Sequence, residues 1–512
     1  MSAPRAVRLL AALLVVSSVT TVGLVATPKA GAGQTVVVVD TTEDTFDGSC
    51  DDGDCSLRDA VKDATVGTRV LVQSGFYALS RTGRGGIGIG TIELHRRIEI
   101  VGEGETGVFI DASALGAPAF ATSPLAGTSP RFTVENLTLF GARDATLVGG
   151  AIRARGGRLR LVGSTLTGGL AERGGALAVG PGADVRVVDT LLTGNEASAR
   201  GGAVWSEGSV RIVDSAIVTN TAGDGGGLGA AVGATTSLRN TTVALNTAGG
   251  HGGGLWLAGP AVVSFTTIGD NDAAMGGGGI AVAGSAGAIE VGATIVAGNR
   301  ADTSRQCSGA ISSLGDNVEQ GHGCGFDLRG DRENTDPKLR RLGANGGPTP
   351  TMPLAGRSPA ANIAGDCGGR DQRGAPRDAR CDAGPYEIVR CLGKPVNIVG
   401  TPDDEELSGG RGRDVFLGMG GDDEFQGSIG TDRACGGPGN DLLIAGPGKD
   451  RFSAGAGNDV VKGEAGDDVV WGGAGRDRLV GGPGHDSCEA DARDRTSRGC
   501  EISFAGAART AT

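Results

Sequence analysis

From Gly409 to Glu489 one nine-residue unit repeats nine times without a slip, and this feature constrains the fold more than any other. The unit reads Gly-Gly-x-Gly-x-Asp followed by three residues, as in GGAGRDRLVGGPGHD from Gly472 to Asp486. Its sixth position is always aspartate: Asp414, Asp423, Asp432, Asp441, Asp450, Asp459, Asp468, Asp477 and Asp486. Its eighth is mostly apolar: Phe416, Phe425, Leu443, Phe452, Val461, Val470 and Leu479, with Ala434 and Cys488 smaller. Gly400 to Ser408 is a degenerate first copy with Glu405 in the sixth slot. Glycine has the most backbone freedom to lose and weakens helices and strands alike. A chain that keeps returning to it needs turns where no side chain fits. Glycine makes up 96 of 512 residues and lacks the every-third spacing of collagen.

The six leading positions predict a tight turn, and the last three a short strand with the eighth residue inward. Two repeats complete a coil, so every second aspartate stacks. Asp414, Asp432, Asp450, Asp468 and Asp486 then line one edge, and Asp423, Asp441, Asp459 and Asp477 the other. Carboxylates stacked at strand spacing repel unless a cation lies between them. Calcium suits such a site, because it takes six to eight oxygens in flexible geometry and glycine turns expose carbonyls. Magnesium demands a stricter octahedron, and soft ligands for transition metals are missing. The pattern resembles the calcium-binding RTX (hemolysin-type) repeat, a parallel β-roll. The resemblance implies calcium held between successive turns by these nine aspartates. Four copies depart from the pattern, with Arg413, Lys449, Arg476 and His485 at the fifth position, and are expected to bind weakly or not at all. The alternative is a metal-free solenoid or a disordered acidic tail. From Gly400 onward 21 acidic residues face 12 basic ones, a net of −9, and without cations such a segment stays unfolded.

Upstream, a longer period governs residues 68–300. Gly-Gly pairs begin at Gly149, Gly174, Gly201, Gly226, Gly253 and Gly278, and a column of Asn195, Asn220, Asn246 and Asn271 runs between them. Short β-type runs precede each asparagine and follow most glycine pairs, as in DSAIVTN and GGGLWL. A period near 25 with two or three short strands is one turn of a right-handed parallel β-helix. Successive turns stack about 4.8 Å apart. Stacked asparagine amides bond one another and the turn backbone, stacked glycines form a corner, and Val, Ile and Leu fill the core.

The flanks set the address. Arg5 and Arg8 precede an apolar run from Leu9 to Val25, and Ala30-Gly31-Ala32 offers a cleavage site, so residues 1–32 read as a secretory signal peptide. A retained membrane anchor is the alternative. Ten cysteines fit an oxidising destination. Near neighbours suggest Cys50–Cys55, Cys307–Cys324, Cys367–Cys381 and Cys488–Cys500, leaving Cys391 and Cys435 as a fifth pair, although sequence alone cannot settle connectivity. Residues 33–67 are expected to cap the solenoid. Ser56 is an N-cap with Asp59 at the capping-box position, and Leu57, Ala60, Val61 and Ala64 share a helical face. DGSCDDGDCSLRDAV, Asp47 to Val61, resembles the CSLREA domain, with Asp59 in place of the usual Glu. Residues 301–390 break the period and look like a segment that ends the solenoid; Asn334 to Glu387 resembles the bacterial choice-of-anchor Q domain. Both resemblances imply an extracellular location. The calcium roll is placed at 391–489 and a tail at 490–512.

The β-helix invites one competing reading. Similar folds host pectate-lyase-like and polygalacturonase-like enzymes. Asp189 and Asp214 occupy equivalent positions in adjacent turns, and paired acids serve glycoside hydrolysis. Gly250-His251-Gly252 resembles a polygalacturonase motif, and Trp205 and Trp256 are candidates for stacking on a sugar. Yet the aspartate column continues as Asn240 and Phe265, which reads as a ladder. The preferred expectation is a non-catalytic secreted or surface scaffold with calcium ions as partners, and glycans or matrix components as candidates. A net charge of −12 argues against nucleic acid and anionic membranes.

Overall fold

The structure is a computed structural model that describes residues 35–50, 53–80, 90–104, 107–284, 287–365, 367–497 and 499–504. The expected signal peptide lies outside the described residues. The chain forms two compact units. One comprises residues up to Pro402 with Val415–Met419, and the other comprises Asp403–Asp414 and the chain from Gly420 onward. Both are all-β apart from one short helix, and their stacked strands pair in parallel.

The first unit is a parallel β-helix. Its coils visit four sheets of eleven, ten, six and nine strands in a fixed order, as in Ala183–Val188, Leu191–Thr193, Glu196–Arg200 and Val204–Ser206. Each strand pairs in register with its equivalent one coil on, so Leu166 lies beside Leu192, Leu192 beside Ile217 and Ile217 beside Val243. These inward residues are fully buried and belong to one core that runs from Val39 to Phe326. The solenoid overruns both expected borders. Val36–Val39 already pairs with Thr68–Val72, and a last coil runs through Cys307–Ser308 and Ser312–Gly315 to Val318–Glu319.

The asparagine column is the polar spine of the rod. The backbone N–H and side-chain amide of Asn195 both donate to Asn220 Oδ1 at 3.0 Å, and the same pair of bonds recurs from Asn220 to Asn246 and from Asn246 to Asn271. The spine continues to Asn299 across a longer coil and ends where Asn299 donates to Gln306 Oε1. A second buried column, including Ser164, Thr190, Ser215, Thr241, Thr266 and Thr294, holds the corner between the eleven- and ten-stranded sheets and ends on Asn317.

At the N-terminal end, Ser56 caps the helix Leu57–Asp63, accepting from the Asp59 N–H and donating to Asp59 Oδ2. Leu57, Ala60, Val61 and Ala64 point into the core as the helical spacing predicts. The segment expected to end the solenoid instead lies along its side. Met352 packs on Ala216, Val218 and Ala244, while Leu354, Ala360 and Ala383 pack on Ile295, Ala297 and Val318. The physical reason is that the ten-stranded sheet presents these small and apolar residues outward, where water would otherwise meet them. The far end is closed by Gln306, by Phe326 and by Asp331, which accepts from the Asn317 backbone and amide.

The second unit is a β-roll of eighteen-residue coils. One face stacks Arg433–Pro438, Arg451–Gly457, Val469–Gly475, Asp486–Ala490 and Cys500–Phe504, and the other stacks Glu406–Ser408 through Arg495–Thr496. Strands past Glu489 place part of the expected tail within the roll. The eighth-position residues are at most 1% exposed. Glycine is required at the turns for two reasons. Gly455 has φ +125°, and a Cβ there would strike the Gly437 carbonyl of the preceding coil. Glu464 occupies the same second position with φ +67°, a left-handed conformation that costs a non-glycine residue about 1–2 kcal/mol. The disulfides Cys50–Cys55, Cys307–Cys324, Cys367–Cys381 and Cys488–Cys500 are present; Cys391 and Cys435 are also disulfide-bonded.

Asn246→Ala strands the buried Asn220 N–H and the Ile217 carbonyl, and is expected to destabilise the rod by about 3 kcal/mol, read from urea unfolding of the full chain. Glu464→Gly is expected to stabilise the roll by about 1 kcal/mol, seen as resistance of the C-terminal unit to limited proteolysis.

Candidate metal centre

The roll sets its aspartates in two columns. The backbone N–H of Asp414 donates to Asp432 Oδ1 at 2.8 Å, and the bond repeats from Asp432 to Asp450, from Asp450 to Asp468 and from Asp468 to Asp486. On the other edge the same bond joins Asp423 to Asp441, Asp441 to Asp459 and Asp459 to Asp477. That column has one more member: Asp477 donates to Asp494 Oδ1, seventeen residues on. The repeat pattern hides Asp494 because its spacing falls one residue short of the coil; the acidic DARD stretch was the available signal.

One oxygen of each carboxylate is thus satisfied by the neighbouring coil. The second is not. Among the described residues, Oδ2 of Asp423, Asp432, Asp441, Asp450, Asp459, Asp468, Asp477 and Asp486 is buried with no hydrogen-bond partner. Asp414 differs, since its Oδ2 accepts from the Gly410 N–H. Burial pushes Asp423 up to about 8, with the Asp441 and Glu405 charges adding to the shift. Burial likewise raises Asp450 and Asp459 to about 7 and Asp432 and Asp468 to about 6, against backbone hydrogen bonds that pull the other way. Asp441 and Asp477 are raised by the same cause. Each unpaired buried oxygen costs about 1–3 kcal/mol, more when charged. Eight of them match or exceed the net stability of an ordinary domain, roughly 5–15 kcal/mol.

A cation fits these oxygens. The space a side chain would fill at Gly436 is bounded by Asp441 Oδ2 and the Ala454 carbonyl, and at Gly427 by Asp432 Oδ2 and the Ala445 carbonyl. Among the described residues no three His, Cys, Asp or Glu side chains converge on one point. An ion in the roll therefore draws its remaining ligands from backbone carbonyls, a donor set of hard oxygens that suits calcium.

The fifth position forms an outer ladder of opposite sense. Asp422, Asn440 and Asn458 each donate a backbone N–H to the side-chain oxygen eighteen residues before, starting at Asp404, and Arg476 ends the series. On the other edge Lys449 pairs with Asp467 at 2.7 Å and the His485 N–H donates to Asp467 Oδ1.

Residues 399–434, 426–461 and 453–488 match the family model described as the RTX calcium-binding nonapeptide repeat (4 copies). These are RTX calcium-binding repeats. The RTX roll is one part of a longer chain, and the search of curated proteins found no match to it. Solved structures similar to the chain include the pectate lyase Pel9A, 13% identical with a TM-score of 0.45, covering 69% of this chain and 97% of that one. Another is the PL6-family alginate lyase AlyGC, 11% identical with a TM-score of 0.24, covering 86% and 78%.

The residues of the competing enzymatic reading fall into two separate groups, Asp189 with Asp214, and His251 linked to the two tryptophans through Asp224 and Arg200. Asp189 and Asp214 sit at the corner between the eleven- and ten-stranded sheets, at φ +47° and +51°, in a positive-φ column that continues as Asn240, Phe265 and Ala293. Burial and the Asp214 charge lift Asp189 to about 6. Asp214 accepts from Asn240 and from the Thr349 hydroxyl, and Arg377 donates to Asn240, so the lateral segment covers this corner. His251 lies at a different corner, exposed, with its N–H on Asp224. Trp205 and Trp256 stack on each other across Gly229, with Arg200 over the Trp256 ring at 4.4 Å.

The raised aspartates give the ion-free roll a defined pH response. Its folded state holds more protons than the unfolded chain between about pH 4 and pH 8, so its stability falls as pH rises through that window. In chelator, acidification from about pH 8 to about pH 5 is expected to increase strand content and protease resistance of the RTX roll. The concentration of calcium needed for the same order is expected to fall over that range, because protons already neutralise part of the aspartate columns.

Proposed function

We propose that this chain is an extracellular, calcium-dependent solenoid. A preformed β-helical rod carries an RTX roll that becomes ordered when calcium neutralises its aspartate columns, and the whole serves surface or matrix attachment rather than catalysis. The observation that carries the reading is the set of eight buried Oδ2 atoms without partners. The metal ligands are the nine repeat aspartates, Asp414 through Asp486, with Asp494 extending one column. Extracellular modules of this kind bind with affinities of about 10⁻⁴–10⁻³ M, so calcium outside the cell fills the sites and calcium inside does not. The disulfides and the apolar N-terminal run support export, as do the resemblances of Asp47–Val61 to the CSLREA domain and of Asn334–Glu387 to the choice-of-anchor Q domain.

A polysaccharide-degrading enzyme is the second reading, motivated by the raised, half-buried Asp189 beside Asp214. The Asn240 amide on the Asp214 carboxylate and the Thr349 hydroxyl on its backbone carbonyl speak for a structural role instead.

For the full chain, calcium is expected to increase β-structure by circular dichroism and to protect the C-terminal unit from protease, with EGTA reversing both. Asp459→Asn keeps the Oδ1 acceptor and removes the charge; it is expected to raise the calcium midpoint severalfold. Identical spectra and cleavage in calcium and EGTA would sink the proposal. Turnover of a polygalacturonate and glycan panel that disappears in Asp189→Asn or Asp214→Asn would replace it with the enzymatic reading.

A further inference from the structure

The outer face of the eleven-stranded sheet carries a second column of like charge. Register places Arg160 beside Arg186 and Arg186 beside Arg211 in successive coils. Strand spacing sets these side chains about 4.8 Å apart on one flat surface. Arg131 and Arg158 pair in the same way two residues upstream. All five are exposed. Against them, the outward positions of the same four strands hold two acids, Glu135 and Asp184, and Asp189, just past the end of one strand, interacts electrostatically with Arg160. Among the described residues no ion pair reaches any of the five guanidinium groups. Like charges directly opposite across strands destabilise a sheet, so this column carries a cost that an external anion removes.

Three observations narrow the anion. The flanking outward column is Val162, Val188 and Val213, of which Val162 and Val213 are half-buried and Val188 is buried, so the charge runs beside a partly covered apolar strip. No outward position in these strands is aromatic, which removes the stacking platform that nucleobases need. The chain as a whole carries −12, which repels a polyanion larger than the patch. The lateral segment covers the ten-stranded sheet and reaches the eleven-stranded one at Arg239, which donates to the Gly368 carbonyl, while the five arginines stay exposed.

We propose that this face binds a linear acidic glycan, its carboxylate or sulfate groups following Arg160, Arg186 and Arg211 while sugar C–H groups rest on the valine strip. The guanidinium fork matches such oxyanions bidentately. The proposal rests on the β-helix and is independent of the calcium reading, since the roll contributes none of these residues.

The test is equilibrium binding of the full-length protein to polygalacturonate and heparin oligosaccharides at low ionic strength, in calcium and again in EGTA. Arg160→Gln/Arg186→Gln/Arg211→Gln is expected to lose at least about tenfold in affinity for one of the two, and Arg186→Gln alone about threefold. A charge-matched control, Arg305→Gln/Arg341→Gln/Arg357→Gln, removes exposed arginines elsewhere and is expected to stay within about twofold. Preference for polygalacturonate assigns a uronate and preference for heparin a sulfated chain. The proposal is overturned if neither oligosaccharide binds, if control and column variants lose affinity equally, or if a single-stranded DNA of equal charge binds as tightly and depends on the same arginines. Loss of calcium-dependent folding with glycan binding intact would count against the calcium reading alone.

Discussion

Hydrogen bonding from coil to coil is the constraint on which the rest of this structure depends. In both units each strand pairs in register with its equivalent in the next coil. Every side chain therefore meets, about 4.8 Å away, the side chain at the same point of the repeat. A solenoid built this way converts a sequence period into columns of like residues, and each column has to be compatible with itself. Aliphatic columns are, because their contact is core packing. Asparagine columns are, because an amide both donates and accepts, and the buried run from Asn195 to Asn299 uses both capacities at each step. Aspartate columns are not. A carboxylate accepts only, so one oxygen takes the neighbouring backbone N–H and the other has no partner among the described residues.

The same logic separates what holds the two units together. Asparagine and aspartate occupy comparable buried turn positions and make comparable backbone bonds. The change from amide to carboxylate replaces a donor by a charge, and thereby turns a self-sufficient spine into one that needs an ion. Imperfect copies sharpen the point. Where the fifth position is Asp422, Asn440 or Asn458 the outer ladder is continuous; where it is Lys449 the ammonium takes one oxygen of Asp467 for itself. The two edges of the roll are therefore chemically unequal, although the sixth-position aspartates on both are alike.

Columns were the part of the fold most legible in the sequence, because register makes period visible. The nine-residue repeat located both aspartate edges and the inward eighth positions, and the period near 25 located the asparagine spine and the glycine corners. Ser56 and the face of Leu57, Ala60, Val61 and Ala64 were legible for a different reason: capping and helical spacing are local. What escaped was whatever breaks period. Asn299 lies 28 residues after Asn271 and Asp494 seventeen after Asp477, so an insertion and a deletion removed each from its column on paper but not in space. The serine and threonine column escaped because the residue type alternates. The lateral course of the Met352–Ala383 region escaped because nothing in its own sequence states which surface it covers. The information lies in the outward Ala216, Val218 and Ala244 of the sheet beneath it.

Coil size gives the two solenoids unequal means of folding unaided. A coil of the larger unit buries many apolar side chains: the one from Ala183 to Ser206 contributes Ala183, Val185, Val187, Leu192, Ala197, Ala203 and Val204, each at most 2% exposed. A coil of the roll, such as the one holding Leu443 and Phe452, gains mainly one inward side chain from each nine residues. At about 1.5–3 kcal/mol for each large buried side chain, that pair supplies roughly 3–6 kcal/mol. Ordering eighteen residues, many of them glycine, costs about 1–2 kcal/mol apiece in backbone entropy alone. The repeat that makes the turns tight enough to present carbonyls and carboxylates together is thus the same repeat that leaves too little core to fold on. On the proposed reading, metal binding is folding free energy rather than an addition to a finished site.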